Sequence, residues 1–235
     1  MSVGFRECTR FAAALLVLAA AAPARALELD ALLAATAAAA HTPTPLRAAG
    51  TLTVGDEAPR DVVLLAHRTA VYVEVRDGTR ALVRPGKILV RAGDRIRRAP
   101  IGAALAGSDL LLEDLAPFDA HGLRVPQVSD EGPEGVVVMG APAMPSAYSL
   151  LVRTIDPERA VVVRTKCYRE TTTNLVKMLR ADDVASVADR PRPRALVAET
   201  FRPARTTTLA LDWRPAPGST VGLSTLRGPA LLGSP

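Results

Sequence analysis

Short segments in which apolar and polar residues alternate, separated by tight turns, fill the chain between Leu46 and Ile96. The clearest is Ala70–Arg76, AVYVEVR, with valine at every second position. Such alternation is typical of a β-strand. Asp77-Gly78 follows directly, and this dipeptide favours the two-residue turn of a β-hairpin. The pattern therefore predicts a meander of antiparallel strands, without the regular alternation of strands and helices that a parallel sheet needs.

The second half of the chain continues in the same way. Ala160–Tyr168 and Thr206–Trp213 alternate and predict further strands. Between them, Ala181–Pro193 is charged and rich in proline, which predicts a surface loop. The tail from Gly228 is predicted to be mobile.

Two segments predict helices. Leu27–Ala40 is rich in alanine, the best helix former, and carries one leucine stripe at Leu29, Leu32 and Leu33. Ser108–Leu115 predicts one or two further turns, with Ser108 or Asp109 as the N-terminal cap. The predicted fold class is mainly β (α+β). We expect a strongly curved antiparallel sheet or incomplete β-barrel, with the N-terminal helix and the short mid-chain helix covering its concave face.

Residues 1–26 have the features of a cleavable secretory signal peptide. Arg6 and Arg10 precede an apolar run of twelve residues, Phe11–Ala22, and Ala24-Arg25-Ala26 is a small-x-small cleavage site. A membrane anchor is the alternative, but the run is shorter than the roughly 20 residues that span a bilayer. We therefore predict a protein secreted across the inner membrane, with residues 27–235 as a single domain.

Charge and cysteine content narrow the function classes. Removal of residues 1–26 takes three arginines and one glutamate from a net charge of +5 and leaves a mild, dispersed excess of +3. Nucleic-acid binding, which needs a clustered basic surface, is not predicted.

Cys8 precedes the apolar run, the wrong side for a lipid-acceptor cysteine. Cys167 then remains alone, so no intramolecular disulfide forms; we predict that it is a small core residue, with a reactive thiol as the alternative.

The sequence predicts no catalytic residue, no metal site and no cofactor. His41, His67 and His121 are scattered, whereas a zinc site needs three or four convergent ligands. Ser108 beside Asp109 lacks the strained turn or adjacent base of a nucleophilic serine. Neighbouring carboxylates on a helix point apart. An envelope hydrolase is therefore the least favoured alternative, and we expect a protein that is not an enzyme.

Arg95–Leu115 carries a resemblance to a known family. A basic strand end, Arg95-Ile96-Arg97-Arg98, is followed by a linker, by Gly107-Ser108-Asp109 and by Glu113-Asp114-Leu115. This is similar to the GSD-x-x-x-E-D-L signature of the LolA-like outer-membrane lipoprotein-sorting proteins of the bacterial periplasm. Asn174–Leu179 and Arg205–Leu209 resemble later strands of that family. The resemblance spans roughly Leu46 to Leu226, although this chain has three leucines where the family often has aromatic or polar residues.

The resemblance implies an incomplete antiparallel barrel closed by helices, with a hydrophobic cavity for acyl chains. It implies a periplasmic carrier of lipid or lipoprotein acyl chains towards the outer membrane. The departures from the family pattern leave open a broader carrier of lipids or other hydrophobic molecules that serves an inner-membrane exporter. We also expect transient contact with a membrane. The alternative is an envelope sensor or protein-interaction module on the same scaffold.

Two sets of residues are predicted for this site. The first is a lid formed by the signature segment, in which Asp109, Glu113 and Asp114 anchor a leucine-rich helix and Arg97 or Arg98 provides the ion partner. The lid set is Gly107, Ser108, Asp109, Leu110, Leu111, Leu112, Glu113, Asp114 and Leu115. The second set lines either the cavity or the core, which the pattern does not separate: Val71, Val73, Val75, Val161, Val163, Leu209, Leu211 and Trp213.

Overall fold

The computed structural model describes residues 28–132 and 134–232, so the predicted signal peptide lies outside the described residues. Within them the chain forms one antiparallel sheet of 13 strands, two α-helices and one 3-10 helix. The N-terminal helix, α1, covers residues 28–40. The remaining elements are β1 (Thr42–Val54), β2 (Arg60–Arg68), β3 (Ala70–Val75), β4 (Arg80–Arg84), β5 (Lys87–Ala92), β6 (Arg95–Arg98), the 3-10 helix (Leu112–Leu115), β7 (Leu123–Gly132), β8 (Gly135–Pro142), β9 (Leu150–Asp156), β10 (Val161–Tyr168), β11 (Leu175–Val187), β12 (Arg190–Phe201), β13 (Ala204–Pro215) and α2 (Leu223–Arg227).

The sheet consists of two meanders joined at one seam. Its strand order is β6-β5-β4-β3-β2-β1-β13-β12-β11-β10-β9-β8-β7. Every neighbour is the next strand in sequence except at β1 and β13, which pair from Leu46 opposite Pro215 to Val54 opposite Thr207. Gly50 lies in this seam, where a Cβ atom would stand 1.9 Å from the Ala210 carbonyl oxygen. Since β6 and β7 do not pair, the sheet stays open, and the predicted incomplete barrel is confirmed.

Both faces of the sheet are covered in its first half. All six residues of β3 are buried. The predicted alternation is present: Val71, Val73 and Val75 point to the inner face, where they pack with leucines of the segment between β6 and β7. Tyr72 packs on the opposite, outer face, in a separate apolar cluster. Burial on both sides explains why this strand carries so many β-branched residues.

The C-terminal segment covers the outer face, so the prediction of a mobile tail was wrong for the residues described. Leu226 of α2 is completely buried against the outer-face cluster. The Glu74 carboxylate accepts hydrogen bonds from the main-chain N–H groups of Leu231 (3.0 Å) and Leu232 (2.9 Å). Arg80 donates to the carbonyl of Gly228 at 2.9 Å. Without these backbone partners, the buried carboxylate and guanidinium would lack hydrogen bonds, which would destabilise the fold. The hydrogen bonds therefore hold the described part of the tail against the sheet.

The predicted surface loop at Ala181–Pro193 was also wrong. These residues form the turn and the adjoining parts of both strands of the long hairpin made by β11 and β12. The prolines are tolerated because Pro191 and Pro193 pair with β11 alone, whereas β12 meets β13 only from Ala195 onwards. Proline is accepted at such an edge because one side of the strand needs no N–H donor.

The arginines of this hairpin hold the C-terminal end of α1. Arg190 donates to the carbonyl of Ala38 at 3.1 Å. Arg192 donates to the carbonyls of Ala39 (3.2 Å) and Ala40 (3.3 Å). These carbonyls lack partners inside the helix, and cations are favourable at this end of its dipole. Burial lowers the pKa of Arg192 to about 10. The contacts fix the helix across the inner face, where its Leu33 is buried.

Candidate functional site

A lid segment, residues 99–122, connects β6 to β7 and crosses the inner face. Leu105, Leu110 and Leu112 are almost completely buried there and pack in the inner-face core. The predicted short helix is present, but it is a single 3-10 turn whose N-cap is Leu111. The Leu111 N–H donates to the Asp114 carboxylate at 2.7 Å. Ser108 and Asp109 were therefore wrong as caps; the capping carboxylate lies inside the turn itself.

Asp109 joins the lid segment to β13. Its two carboxylate oxygens accept hydrogen bonds from Arg205 Nε (2.6 Å) and Nη2 (2.8 Å), and Thr207 Oγ1 donates at 3.0 Å. The predicted partners Arg97 and Arg98 were wrong, because they lie on the edge strand β6. Burial alone raises the pKa of Asp109, but the hydrogen bonds from Arg205 and Thr207 lower it further than burial raises it.

Asp114 joins the lid segment to β11. Lys177 Nζ lies 2.6 Å from Asp114 Oδ2, and the two side chains are only 5% and 2% exposed. The Tyr148 hydroxyl donates to Asp114 Oδ1 at 2.9 Å. Lys177 also donates to the main-chain carbonyl of Asp109 at 2.9 Å. Charge-assisted bonds of this kind strengthen when they are removed from water.

Glu113 provides the third attachment, to the loop that follows β8. Its carboxylate accepts a hydrogen bond from Ser146 Oγ at 2.6 Å and another from the Ala147 N–H at 3.1 Å. The three carboxylates of the signature thus attach the lid segment to β13, to β11 and to the loop between β8 and β9. The predicted anchoring role of these groups agrees with their contacts, although every partner differs from the predicted arginines.

The Asp109 contact predicts a specific response to acid. The pKa of Asp109 is lower in the folded than in the unfolded chain, so the ionised carboxylate stabilises the fold. This stabilisation is fully present above about pH 4, the ordinary pKa of aspartate, and is lost as the pH falls through the lowered pKa. We expect Asp109→Asn to cost about 1–2 kcal/mol near neutral pH, a modest loss because Arg205 is partly solvated.

Urea unfolding of the wild type and of Asp109→Asn at a series of acidic and neutral pH values checks this. The difference between their free energies of unfolding should shrink as the pH falls below about 4. Burial raises the pKa of Glu74 less than its hydrogen bonds lower it, so Glu74 also titrates, but it is present in both proteins and cancels in the difference. A gap of constant size at acid pH would contradict the assignment.

A cavity of about 680 Å³ lies between the lid segment, α1 and the part of the inner face that the lid leucines leave uncovered. Most of its wall is aliphatic or aromatic. The apolar side chains of the wall include Leu64, Val71, Ile88, Ile101, Leu115, Phe118, Met144, Leu151, Val161, Val162, Val163, Leu179, Leu196, Leu211 and Trp213.

The structure separates the predicted lining residues into two groups. Val71, Val161, Val163, Leu211 and Trp213 lie on the cavity wall. Val73, Val75 and Leu209 are completely buried in the core instead. The second group shares its cluster with the lid leucines, which fill that part of the inner face.

The signature segment divides in the same way. Glu113, Asp114 and Leu115 reach the cavity wall. The other members of the predicted lid do not line the cavity: Gly107, Ser108, Asp109, Leu110, Leu111 and Leu112. Gly107 adopts a positive φ of 71° at the turn before them. The Ser108 hydroxyl accepts a hydrogen bond from the Leu110 N–H at 3.2 Å, which gives it a structural role in this turn.

Several wall residues did not emerge from the sequence. Phe118 and Met144 lie in proline-rich connections that carry no periodic signal. Arg153 lies in β9, a strand that was predicted, between the buried Leu151 and Ile155. Alternation along that strand places Arg153 on the same face as its two buried neighbours, so the period-two pattern could have identified it.

Cys167 is completely buried, as predicted for a core residue, and burial raises the pKa of its thiol. Among the described residues, no three side chains of His, Cys, Asp or Glu converge as metal ligands would. No helix within 28–132 or 134–232 has both the length and the apolar character to cross a membrane.

These features define a class of protein: an open antiparallel barrel whose inner face is covered by a helix and an anchored lid, with an apolar cavity beneath them. Neither a protein-family model nor a curated protein matches the sequence. Solved structures do match in fold, with amino-acid identities of 14–16%.

Three of these structures cover most of the chain. A domain assigned to the outer membrane lipoprotein-sorting proteins of Vibrio parahaemolyticus has a TM-score of 0.71 at 16% identity, over 83% of this chain and 97% of its own. A DUF1329 family protein from Desulfovibrio piger has a TM-score of 0.70 at 16% identity, over 85% and 98%. A LolA superfamily protein from Nitrosomonas europaea has 0.62 at 14%, over 79% and 92%. The chain therefore has the fold of the LolA-like lipoprotein-sorting proteins, and the predicted resemblance is confirmed at the level of the fold.

Proposed function

We propose that this protein is a periplasmic carrier that encloses an acyl chain of a lipid or lipoprotein in its cavity for transfer towards the outer membrane. The observation that carries the proposal is the apolar cavity of about 680 Å³. Its volume falls within the range of about 300–1,000 Å³ that is typical of small-molecule sites. Each buried methylene contributes about 0.8 kcal/mol, so ten methylenes supply a gross gain near 8 kcal/mol without polar recognition.

The arrangement of the lid supports binding rather than catalysis. The Ser108 hydroxyl is engaged by Leu110, and the three lid carboxylates are engaged by anchoring partners. We therefore propose a protein that is not an enzyme. An inner-membrane exporter and transient membrane contact belong to the same proposal, as the donor side of the transfer.

The cavity also favours the carrier over a protein-interaction module on the same scaffold. A module that binds only through its surface is expected to have a filled interior, because an apolar void lacks packing contacts and so lowers stability. Here the lid leucines fill one part of the inner face, while the part beside α1 is lined by apolar side chains around open space. An acyl chain is the ligand chemistry that matches this lining.

Filling the cavity tests the proposal. Val163 lies on the wall in β10 and is only partly buried, so Val163→Trp places an indole where the chain would lie. Binding of a neutral fluorescent monoacylglycerol should weaken about tenfold, equivalent to losing room for two methylenes. Val128→Trp is the matched control, because Val128 is exposed on β7.

Mass spectrometry of lipids extracted from protein purified out of the periplasm completes the test. We expect acyl-containing species with the wild type and fewer with Val163→Trp. A wild type that neither retains lipid nor binds the neutral probe would refute the carrier function. Equal binding by Val163→Trp and the wild type would place the acyl chain outside this cavity.

A further inference from the structure

Arg153 projects from the middle of β9 into the cavity wall. Its strand neighbours on the same face, Leu151 and Ile155, are buried. Its guanidinium carbon lies 5.1 Å from the centre of the Phe118 ring, which belongs to the lid segment. Such a cation–π contact attracts the guanidinium to the ring face and does not use its N–H donors.

The guanidinium of Arg153 has no hydrogen-bond or ion-pair partner among the residues that the structure describes. Its Nη1 atom is buried without an acceptor. Asp119 is the carboxylate that favours its charged form from nearby, but it does not come within ion-pair distance. Burial has the larger effect and lowers the pKa of Arg153, although arginine remains charged under ordinary conditions. A buried cation without a partner is unfavourable.

The other buried or half-buried arginines of the wall differ from Arg153 in this respect. Arg164, on the neighbouring strand β10, places its two terminal nitrogens 2.6 Å and 3.0 Å from the two carboxylate oxygens of Glu134. Arg192 donates through both terminal nitrogens to the end of α1 and to Thr42. Arg153 thus combines a place on the cavity wall, a contact with the Phe118 ring and an unused donor.

We propose that Arg153 binds the oxyanion headgroup, carboxylate or phosphate, of an acyl-chain amphiphile whose tail occupies the apolar part of the cavity. This inference rests on the proposed carrier function and specifies its ligand as anionic. The planar fork of a guanidinium matches the two oxygens of a carboxylate or phosphate. The charged headgroup of the ligand would be the ion partner that Arg153 lacks among the described residues. Neutral amphiphiles of the same chain length therefore bind less tightly.

Competition against the neutral fluorescent monoacylglycerol tests the preference. The competitors are palmitate, lysophosphatidic acid with a palmitoyl chain, and monopalmitoylglycerol, each below its micellar concentration. We expect at least one of the two anions to bind the wild type about ten- to a hundredfold more tightly than the neutral lipid, the range for hydrogen bonds to a charged group. Comparison of palmitate with lysophosphatidic acid then distinguishes a carboxylate ligand from a phosphate ligand.

Three variants separate headgroup recognition from structural effects. Arg153→Gln should abolish the preference for anions and leave the affinity for monopalmitoylglycerol within about twofold. Arg164→Gln, the matched control on the adjacent strand, should retain the preference. Asp119→Asn removes a negative charge that repels an anionic headgroup near Arg153. It should tighten the binding of anions severalfold without changing that of the neutral lipid.

Two outcomes would overturn the inference and leave the carrier function intact. One is equal affinity of the wild type for the anions and the neutral lipid, a comparison that needs no variant to fold. The other is an equal loss of anionic and neutral binding in Arg153→Gln, which would assign Arg153 a structural role. Failure of the wild type to bind any of the three competitors or the probe would instead refute the proposed carrier function.

Discussion

Replacing Lys177 by methionine is expected to destabilise the fold by about 3–5 kcal/mol, because it leaves an uncompensated carboxylate in the interior. Asp114 accepts from Lys177 at 2.6 Å, and both side chains are almost inaccessible to water. Methionine matches the length of lysine but offers no donor. The remaining partners of the carboxylate, the Tyr148 hydroxyl and the Leu111 N–H, carry no charge.

Urea unfolding monitored by circular dichroism measures this loss. Lys166→Met is the matched control, since Lys166 lies on the adjacent strand β10 and is exposed; we expect a change within about 0.5 kcal/mol. The double variant Lys177→Met/Asp114→Asn should recover part of the loss, because asparagine is neutral and its side-chain oxygen can still accept from the Leu111 N–H. A loss of stability of similar size in Lys177→Met and Lys166→Met would mean that the buried charge is not the cause.

The anchors of the lid segment show what the sequence could and could not predict. A leucine-rich turn flanked by carboxylates was predictable, because the apolar run and the acidic residues lie within ten residues of one another. Its partners were not, because Lys177 and Arg205 are distant in sequence and come close only when β11 and β13 take their places in the sheet. The nearby Arg97 and Arg98 were the natural choice from local sequence, and the topology places them at the sheet edge.

The second large effect is expected for Leu110→Ala, at about 2–5 kcal/mol. Leu110 is completely buried in the inner-face core, together with Leu64, Val83 and Leu209. Its removal leaves a void that the anchored backbone cannot close, because Asp109 is tied to β13 on one side and Asp114 to β11 on the other. The cost therefore includes both the lost burial and the residual void.

Leu111→Ala is the matched control, since the adjacent Leu111 is only partly buried and packs at the margin of another cluster. We expect it to cost no more than about half as much. Thermal or urea unfolding of the two variants gives the comparison. Equal losses of stability would show that the burial of Leu110 in the inner-face core is not the source of the effect.

Fold prediction was accurate where short-range periodicity decides the structure, as in β3 and α1. It was inaccurate where a segment's role depends on a distant neighbour. Ala181–Pro193 looked like a loop because prolines and charges dominate it, yet its arginines bind the end of α1 and its prolines occupy an edge position. The division of the aliphatic positions between core and cavity also depended on the lid, which determines where leucines fill the inner face.

The open sheet exposes two strand edges, and such edges invite pairing with other chains and aggregation. At one edge, β6 has only four residues, RIRR, and its arginines would bring positive charges together if two copies paired. At the other, β7 carries Pro126 and two irregularities in its register with β8. Arg97 and Arg98, which take no part in anchoring the lid, thus place positive charge on the open edge of the barrel, a feature that disfavours pairing between edge strands.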